Sequence, residues 1–221
     1  AEAARESGRS ERDIFLVGAS KMNDAAACQE AIAAGVDALG ENRVQEMTAH
    51  LDDDAYAGAA LHFIGHLQTN KVRQVVGRVE LIESVGSEHL LEAIEAQAAK
   101  LELVQDILLE VNIGGEASKS GISPEELSAL AAQAVGSPHV RLRGLMAIPP
   151  VAAGPDGNRP FFAKMRQLYV DIRSQMDDNK TSFDCLSMGM SGDFEDAVRE
   201  GATLVRVGTA LFGPRPPMHK G

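Results

Sequence analysis

The chain is poor in the residues that mark several functional classes. Two of its 221 residues are cysteines, Cys28 and Cys185, and they lie too far apart for a metal-ligand or redox motif. That argues against a disulfide-stapled secreted scaffold and suits a reducing compartment, the cytoplasm. No apolar run approaches the roughly 18 residues that a membrane span needs, and no signal-peptide pattern opens the chain. The chain starts at Ala1 without Met, which leaves room for an upstream segment. Basic residues are in deficit, with 21 Lys and Arg against 32 Asp and Glu, a formal net charge of −11. Such a chain is badly suited to gripping a nucleic-acid backbone over a broad surface, but it can hold a small anion at a local positive site. There is no internal repeat, low-complexity tract, Ser-His-Asp elbow or metal-ligand spacing. Tyrosines number two, Tyr56 in an acidic loop and Tyr169 on a helix.

What is present is an ordinary globular composition, 44% apolar and 24% charged, with enough chain to bury a core without staples. Eight short β-rich runs alternate with helical patterns: 14–19 (IFLVGA), 36–40 (VDALG), 61–65 (LHFIG), 79–83 (VELIE), 105–112 (QDILLEVN), 141–148 (RLRGLMAI), 184–188 (DCLSM) and 203–208 (TLVRVG). Several are continuously apolar, the pattern of parallel strands covered on both faces. Asn23 is expected to cap a helix that stops at Gly35. Ser123-Pro124-Glu125-Glu126 reads as a capping box that opens another helix, ending near Val135. Pro160 opens a third, with Phe161, Met165, Leu168, Ile172 and Met176 forming its apolar stripe. Residues 52–60 and 149–158 read as solvated loops, the second placed where it could serve as a lid.

Eight strand–helix units imply a (β/α)8 TIM-type barrel or a doubly wound open sheet. The count of eight, and the lack of any composition shift to mark a boundary, favour one barrel domain over residues 1–221. In such barrels the site lies at the carboxyl ends of the strands. Polar residues gather there: Ser20-Lys21, Glu41-Asn42, His66, Asn112 with Lys119, Ser191-Gly192-Asp193, and Arg206 with Gly208-Thr209. Lys21 reads either as an ordinary strand-end lysine or as a desolvated amine able to form Schiff bases. Ser191, Gly208 and Thr209 read either as turn chemistry or as a phosphate cradle. Arg206 needs an acceptor, which is either a structural ion pair or a pyridine nitrogen. His62 and His66 lack metal spacing and read as structural or supporting residues.

The stretches VGASK (17–21), GENRVQE (40–46), HFIGHLQTNK (62–71), SKSGI (118–122), GLMAIP (144–149), LSMGMSGDFEDA (186–197) and VRVGTALFG (205–213) lie in order along the chain. Together they make it resemble the pyridoxal-phosphate homeostasis protein family, itself similar to the barrel domain of alanine racemase. The resemblance implies an alanine-racemase-type barrel with residues 1–10 as the end of a first helix. It implies that Lys21 carries pyridoxal 5′-phosphate as an internal aldimine. Ser191, Gly208 and Thr209 would surround the phosphate, Arg206 would face the ring nitrogen, and Asn42 would lie close by. Met146 is a candidate to pack against the ring, with a plain core methionine as the alternative. Lys119, a second lysine at the mouth, is a candidate for cofactor exchange or else a solvated loop residue. The expected role is to hold and deliver the cofactor in the cytoplasm, as a monomer that meets apo-enzymes transiently, with no metal, nucleic acid or membrane. The alternatives are an amino-acid racemase and a Schiff-base aldolase acting on a sugar phosphate. Racemization needs a base on each face of the ring; in the alanine racemase arrangement the second is a tyrosine from an additional domain, and neither Tyr56 nor Tyr169 stands at a strand end. Met22-Asn23 and Arg43 depart from the family pattern.

Overall fold

The computed structural model describes residues 1–116, 119–151, 154, 156–176 and 183–213. Eight parallel strands close into a barrel in chain order: β1 (Phe15–Ala19), β2 (Ala38–Glu41), β3 (Ala60–Phe63), β4 (Leu81–Val85), β5 (Gln105–Glu110), β6 (Val140–Met146), β7 (Cys185–Ser187) and β8 (Leu204–Val207). Each falls on one of the eight runs expected from sequence. Helices α1 (Glu2–Glu6), α2 (Ala25–Ala33), α3 (Val44–Asp52), α4 (Glu88–Lys100), α5 (Leu127–Gly136), α6 (Arg159–Gln175), α7 (Phe194–Arg199) and α8 (Thr209–Phe212) surround it, with a short 3-10 helix at Thr69–Gln74 in place of a helix after β3. The barrel closes where Phe15 of β1 pairs with Leu204 and Gly18 with Val207.

Alternation along the strands divides the core in two. Val17, Ala38, Leu81, Leu108, Met146 and Leu204 fill the barrel. Leu39, Phe63, Ile82, Ile107 and Leu145 point outward against Met47, Leu91, Ile94, Leu130 and Met165 of the helices. This two-sided covering is why every residue of β2, β4, β5 and β8 is buried. Gly144 lets β6 meet β7: its φ is +155°, and a Cβ there would fall on the Cys185 carbonyl.

Local expectations need correction at the helices. Asp24, not Asn23, caps α2, its carboxylate accepting from the Ala27 N–H at 2.9 Å. Ser123 donates its hydroxyl to Glu126 rather than accepting a backbone N–H, so the segment starts as a turn and α5 begins at Leu127. The buried stripe of α6 is Phe162, Met165, Tyr169 and Ile172, with Phe161 and Leu168 at its edge. Tyr169 belongs to it because its hydroxyl donates to the Phe183 carbonyl at 2.9 Å. Residues 52–60 are not a simple solvated loop, since Ala55 and Tyr56 are buried. Of 149–158, residues 152, 153 and 155 lie outside the described part, and the lid reading with them; Ser118 lies outside it too. Within 1–10, α1 places Ala3 and Ala4 in the core, and Glu6 pairs with Arg199 of α7 at 2.6 Å.

Candidate site at the barrel mouth

Six of the residues singled out from sequence, Lys21, Asn42, Ser191, Arg206, Gly208 and Thr209, stand in or just beyond the carboxyl ends of β1, β2, β7 and β8. Ala19 pairs with Gly40, and the Ser20 N–H donates to the Gly40 carbonyl at 3.1 Å, so Lys21 and Asn42 leave the sheet side by side. The chain turns sharply after Lys21: Met22 has a φ of +63°, and the Asn23 amide donates to the carbonyls of Ser20 and Lys21, both at 3.2 Å. That is why Asn23 does not cap α2, and it gives the unusual Met22-Asn23 pair a purpose. Arg43 is exposed and pairs with Glu46 at 3.2 Å. Asn42 Oδ1 is buried and has no hydrogen-bond partner among the described residues.

On the other side of the mouth, the Ser191 hydroxyl accepts from the N–H groups of Gly208 at 3.0 Å and Ala210 at 3.2 Å. Thr209 lies between these two donors. The turn before α7 is held by Asp193, whose carboxylate accepts from the Met190 N–H and the Asn158 amide, both at 2.7 Å. Both oxygens of Asp193 are thus engaged. A Cβ on Gly208 would meet Ala19 at 3.5 Å, so this cradle abuts the end of β1, the strand that leads to Lys21.

Arg206 lies inside the barrel, 3% exposed. It donates to the Ser187 hydroxyl and, at 3.0 Å, to the Ala147 carbonyl, and stands 3.6 Å from Glu83 Oε2. The ion pair that a buried guanidinium requires is therefore present. Glu83 is fully buried and engaged at both oxygens, by His62 Nδ1 at 2.8 Å and by the Ser187 hydroxyl at 2.6 Å. Burial pushes its carboxyl up, but the hydrogen bond and charge of His62 and the charge of Arg206 outweigh that and hold it below the usual carboxylate range. His62 thus supports Arg206 through Glu83.

Met146 is wholly buried in the inner core, as the plain core reading has it. Lys119 is neither wholly solvated nor part of the cradle; its ammonium donates to the Pro149 carbonyl at 3.1 Å and pairs with Glu116 at 2.6 Å. Sequence reasoning missed Glu83 and gave no role to Ser187 or to Glu41, although both stand at strand ends. Glu41 sits behind the mouth, its Oε1 accepting from Ser20 at 2.8 Å and Tyr56 at 3.0 Å. The signal was available in principle, because a carboxylate inside a strand covered on both faces must find a partner. Neither cysteine is primed as a nucleophile: burial pushes the Cys28 thiol up to about 11 and that of Cys185 up to about 12.

Residues 16–216 match the family model described as alanine racemase, N-terminal domain. The chain is 42% identical over 214 residues to the pyridoxal phosphate homeostasis protein of Aquifex aeolicus, covering 97% of this chain and 92% of that one. It is 41% identical to the protein of the same name from Pseudomonas aeruginosa, covering 97% and 90%. Among solved structures, PipY of Synechococcus elongatus with PLP bound superposes with a TM-score of 0.83 at 34% identity, covering 96% of this chain and 100% of that one. The alanine racemase of Clostridium difficile shares the fold, with a TM-score of 0.75 at 15% identity, and this chain spans 58% of its length.

Proposed function

The chain belongs to the pyridoxal phosphate homeostasis protein family, and on that premise we propose that it binds pyridoxal 5′-phosphate at the barrel mouth and holds it in reserve for other proteins. The observation that carries this reading is the convergence of the Gly208 and Ala210 N–H groups on one oxygen, that of Ser191, next to the strand that ends at Lys21. Two backbone donors aimed at one acceptor are what a phosphate oxygen needs, and the Ser191 hydroxyl can turn to donate as well. The residues fit the group at a second point, since Asn42 Oδ1 offers a buried acceptor that none of the described residues uses.

In this reading Ser191, Gly208 and Thr209 hold the phosphate, Lys21 makes the covalent attachment through its amine, and Asn42 fixes the near edge. When bound, the cofactor supplies an aldehyde to which a primary amine adds. Arg206, kept in place inside the barrel by Glu83, Ser187 and Ala147, would be the residue to meet the ring nitrogen. A guanidinium there would disfavour a proton on that nitrogen, because two positive charges would face each other, and would so suit storage better than carbanion chemistry.

The racemase alternative lacks support from the tyrosines. The Tyr56 hydroxyl donates to Glu41 and that of Tyr169 to the Phe183 carbonyl, so both are committed away from the mouth. The reading includes a monomer in the cytoplasm that passes the cofactor to apo-enzymes, in keeping with the two unpaired cysteines. Among the described residues, no helix is long and apolar enough to cross a membrane. The test is to load the purified chain with pyridoxal 5′-phosphate and compare it with Lys21→Ala. A yellow, dialysis-resistant adduct in the parent alone supports the reading. Alanine racemization that is lost on Lys21→Ala, or a colourless protein that traps a sugar phosphate, would transfer the case to the racemase or the aldolase.

A further inference from the structure

Behind the mouth, at the end of β2, one buried carboxylate gathers three other side chains. Glu41 has no exposed surface, and its Oε1 accepts from the Ser20 hydroxyl at 2.8 Å and from the Tyr56 hydroxyl at 3.0 Å. His50 Nδ1 lies 3.1 Å from the same oxygen and 3.1 Å from the Tyr56 hydroxyl, and the two rings meet edge to face with centroids 5.7 Å apart. Burial and the charge of Glu41 push the Tyr56 hydroxyl up, which keeps it protonated and able to donate. The end of β1, the end of β2, α3 and the segment after α3 thus converge on one atom. The second oxygen, Oε2, is buried with no hydrogen-bond partner among the described residues. A hydrocarbon side chain of similar volume would fill the space without that unmet bond. Stability alone does not account for a carboxylate here; what a shared acceptor adds is a fixed arrangement of the groups around it.

That arrangement bears on the next residues in the chain. Ser20 is followed by Lys21 and Glu41 by Asn42, each one Cα step away. Ladder pairing of β1 with β2 ends at Ala19 and Gly40. Past it, the Ser20 N–H donates to the Gly40 carbonyl at 3.1 Å and the Ser20 hydroxyl to Glu41, so the two strand ends stay joined. Asn42 is packed from the β3 side, where a Cβ on Gly65 would lie 2.2 Å from the Asn42 carbonyl oxygen. With Asn42 braced there, the clasp acts on Lys21. We propose that Glu41 is a positioning residue for covalent capture of the cofactor, fixing Lys21 relative to Asn42 through Ser20 while Tyr56 and His50 hold Glu41 itself. This rests on the cofactor reading above and adds to it the group that aims the amine. In the covalent step the neutral Lys21 amine adds to the aldehyde carbon, and the carbonyl oxygen departs as water with both amine protons. Displacing a reacting group by about 1 Å can cost on the order of a hundredfold in rate. The phosphate cradle is built on the β7 and β8 turns by bonds that involve none of these four side chains, so its grip does not depend on Glu41.

The test uses the full chain with two probes. Pyridoxal 5′-phosphate carries the aldehyde that can join Lys21; pyridoxine 5′-phosphate has the same ring and phosphate with an alcohol in its place. Adduct formation is followed by absorbance and binding of the alcohol by calorimetry. Glu41→Ala and Ser20→Ala should each slow adduct formation about tenfold. Kd for the alcohol should stay within about twofold, because the cluster and the cradle share no partner. Glu41→Gln, which keeps an acceptor for Ser20 and Tyr56, should recover most of the parent rate. Ser20→Ala leaves Tyr56 and His50 on Glu41, so it reports on the clasp even where Glu41→Ala does not fold. The proposal is overturned if adduct formation in the folded variants matches the parent, or if the alcohol loses as much as the aldehyde, the sign of general damage to the mouth. A parent chain that binds the alcohol but forms no adduct at Lys21 would overturn the covalent cofactor reading together with it, whereas a normal parent with unaffected variants would remove this proposal alone.

Discussion

Replacing Glu83 with alanine removes the carboxylate that keeps Arg206 compensated inside the barrel. Glu83 is completely buried and Arg206 is 3% exposed, so neither charge has water to fall back on. The carboxylate bonds His62 at 2.8 Å and Ser187 at 2.6 Å and stands 3.6 Å from the guanidinium. Removing one member of a buried ion pair costs about 3–5 kcal/mol, most of it from the partner left uncompensated. At about 2–4 °C per kcal/mol for a chain of this length, Tm should fall by roughly 6–20 °C. Replacing both residues with methionine should recover most of the loss, because the uncompensated charge goes as well. Thermal unfolding is followed by far-ultraviolet circular dichroism, since the chain has no tryptophan to report by fluorescence. The pH dependence has a definite sign. The folded-state pKa of Glu83 lies below its unfolded value, so its contribution is full above about pH 4.5 and is lost as pH falls through the folded value. A cost below about 1 kcal/mol for Glu83→Ala, the scale of an ordinary hydrogen bond, would mean that Arg206 does not depend on this carboxylate. Losses of Glu83→Met and Arg206→Met that simply add in the double variant would mean the same.

Burial holds the Glu110 carboxyl above its usual range, against the Ser120 hydrogen bond and the charge of Arg206. Its folded-state pKa therefore exceeds the unfolded one, so the carboxyl costs stability as pH rises through the folded value; Glu110→Gln should gain on the order of 1 kcal/mol at pH 8 and nothing below about pH 4, read by urea unfolding at both. Gly189 has a φ of +95°, and a Cβ there would lie 2.5 Å from that of Ala197 and 2.9 Å from Phe194 Cα; Gly189→Ala should displace the turn that carries Ser191 and weaken cofactor binding more than Ser191→Ala does, as equilibrium dialysis would show. Ser191→Ala should itself weaken that binding by about 1 kcal/mol while Tm stays within a few degrees.

The barrel was legible because its signal is redundant. Eight β-rich runs recur along the chain, several of them apolar and four of the strands wholly buried, and one such run, 105–112, suffices to locate β5 even though pairing stops at Glu110. That Lys21, Asn42, Ser191, Gly208 and Thr209 stand at one rim was legible for a different reason, since a barrel gathers its strand ends on one rim and polar residues after apolar runs stand out there, whereas their roles toward a cofactor, and that of Arg206, come from the family resemblance and stand as proposals. What lies inside the barrel was not legible. The bonds from Glu83 to His62 and Ser187 join three strands through side chains whose direction depends on where each strand begins, and an error of one residue reverses it. Asn23 was misread because an asparagine before a helix can cap it or close the preceding turn, and the choice depends on the tertiary position of Lys21. The edge of the α6 stripe was misread because the buried hydroxyl of Tyr169 had a carbonyl partner that sequence does not display.

If one amine at the end of β1 captures the cofactor, borohydride reduction of the loaded chain, followed by peptide mass spectrometry, will identify it. The expected result is a pyridoxyl mass increment on the peptide containing Lys21 and on no other peptide, including the one that contains Lys119. An increment on Lys119 or elsewhere with Lys21 unmodified, at full cofactor occupancy, would contradict it.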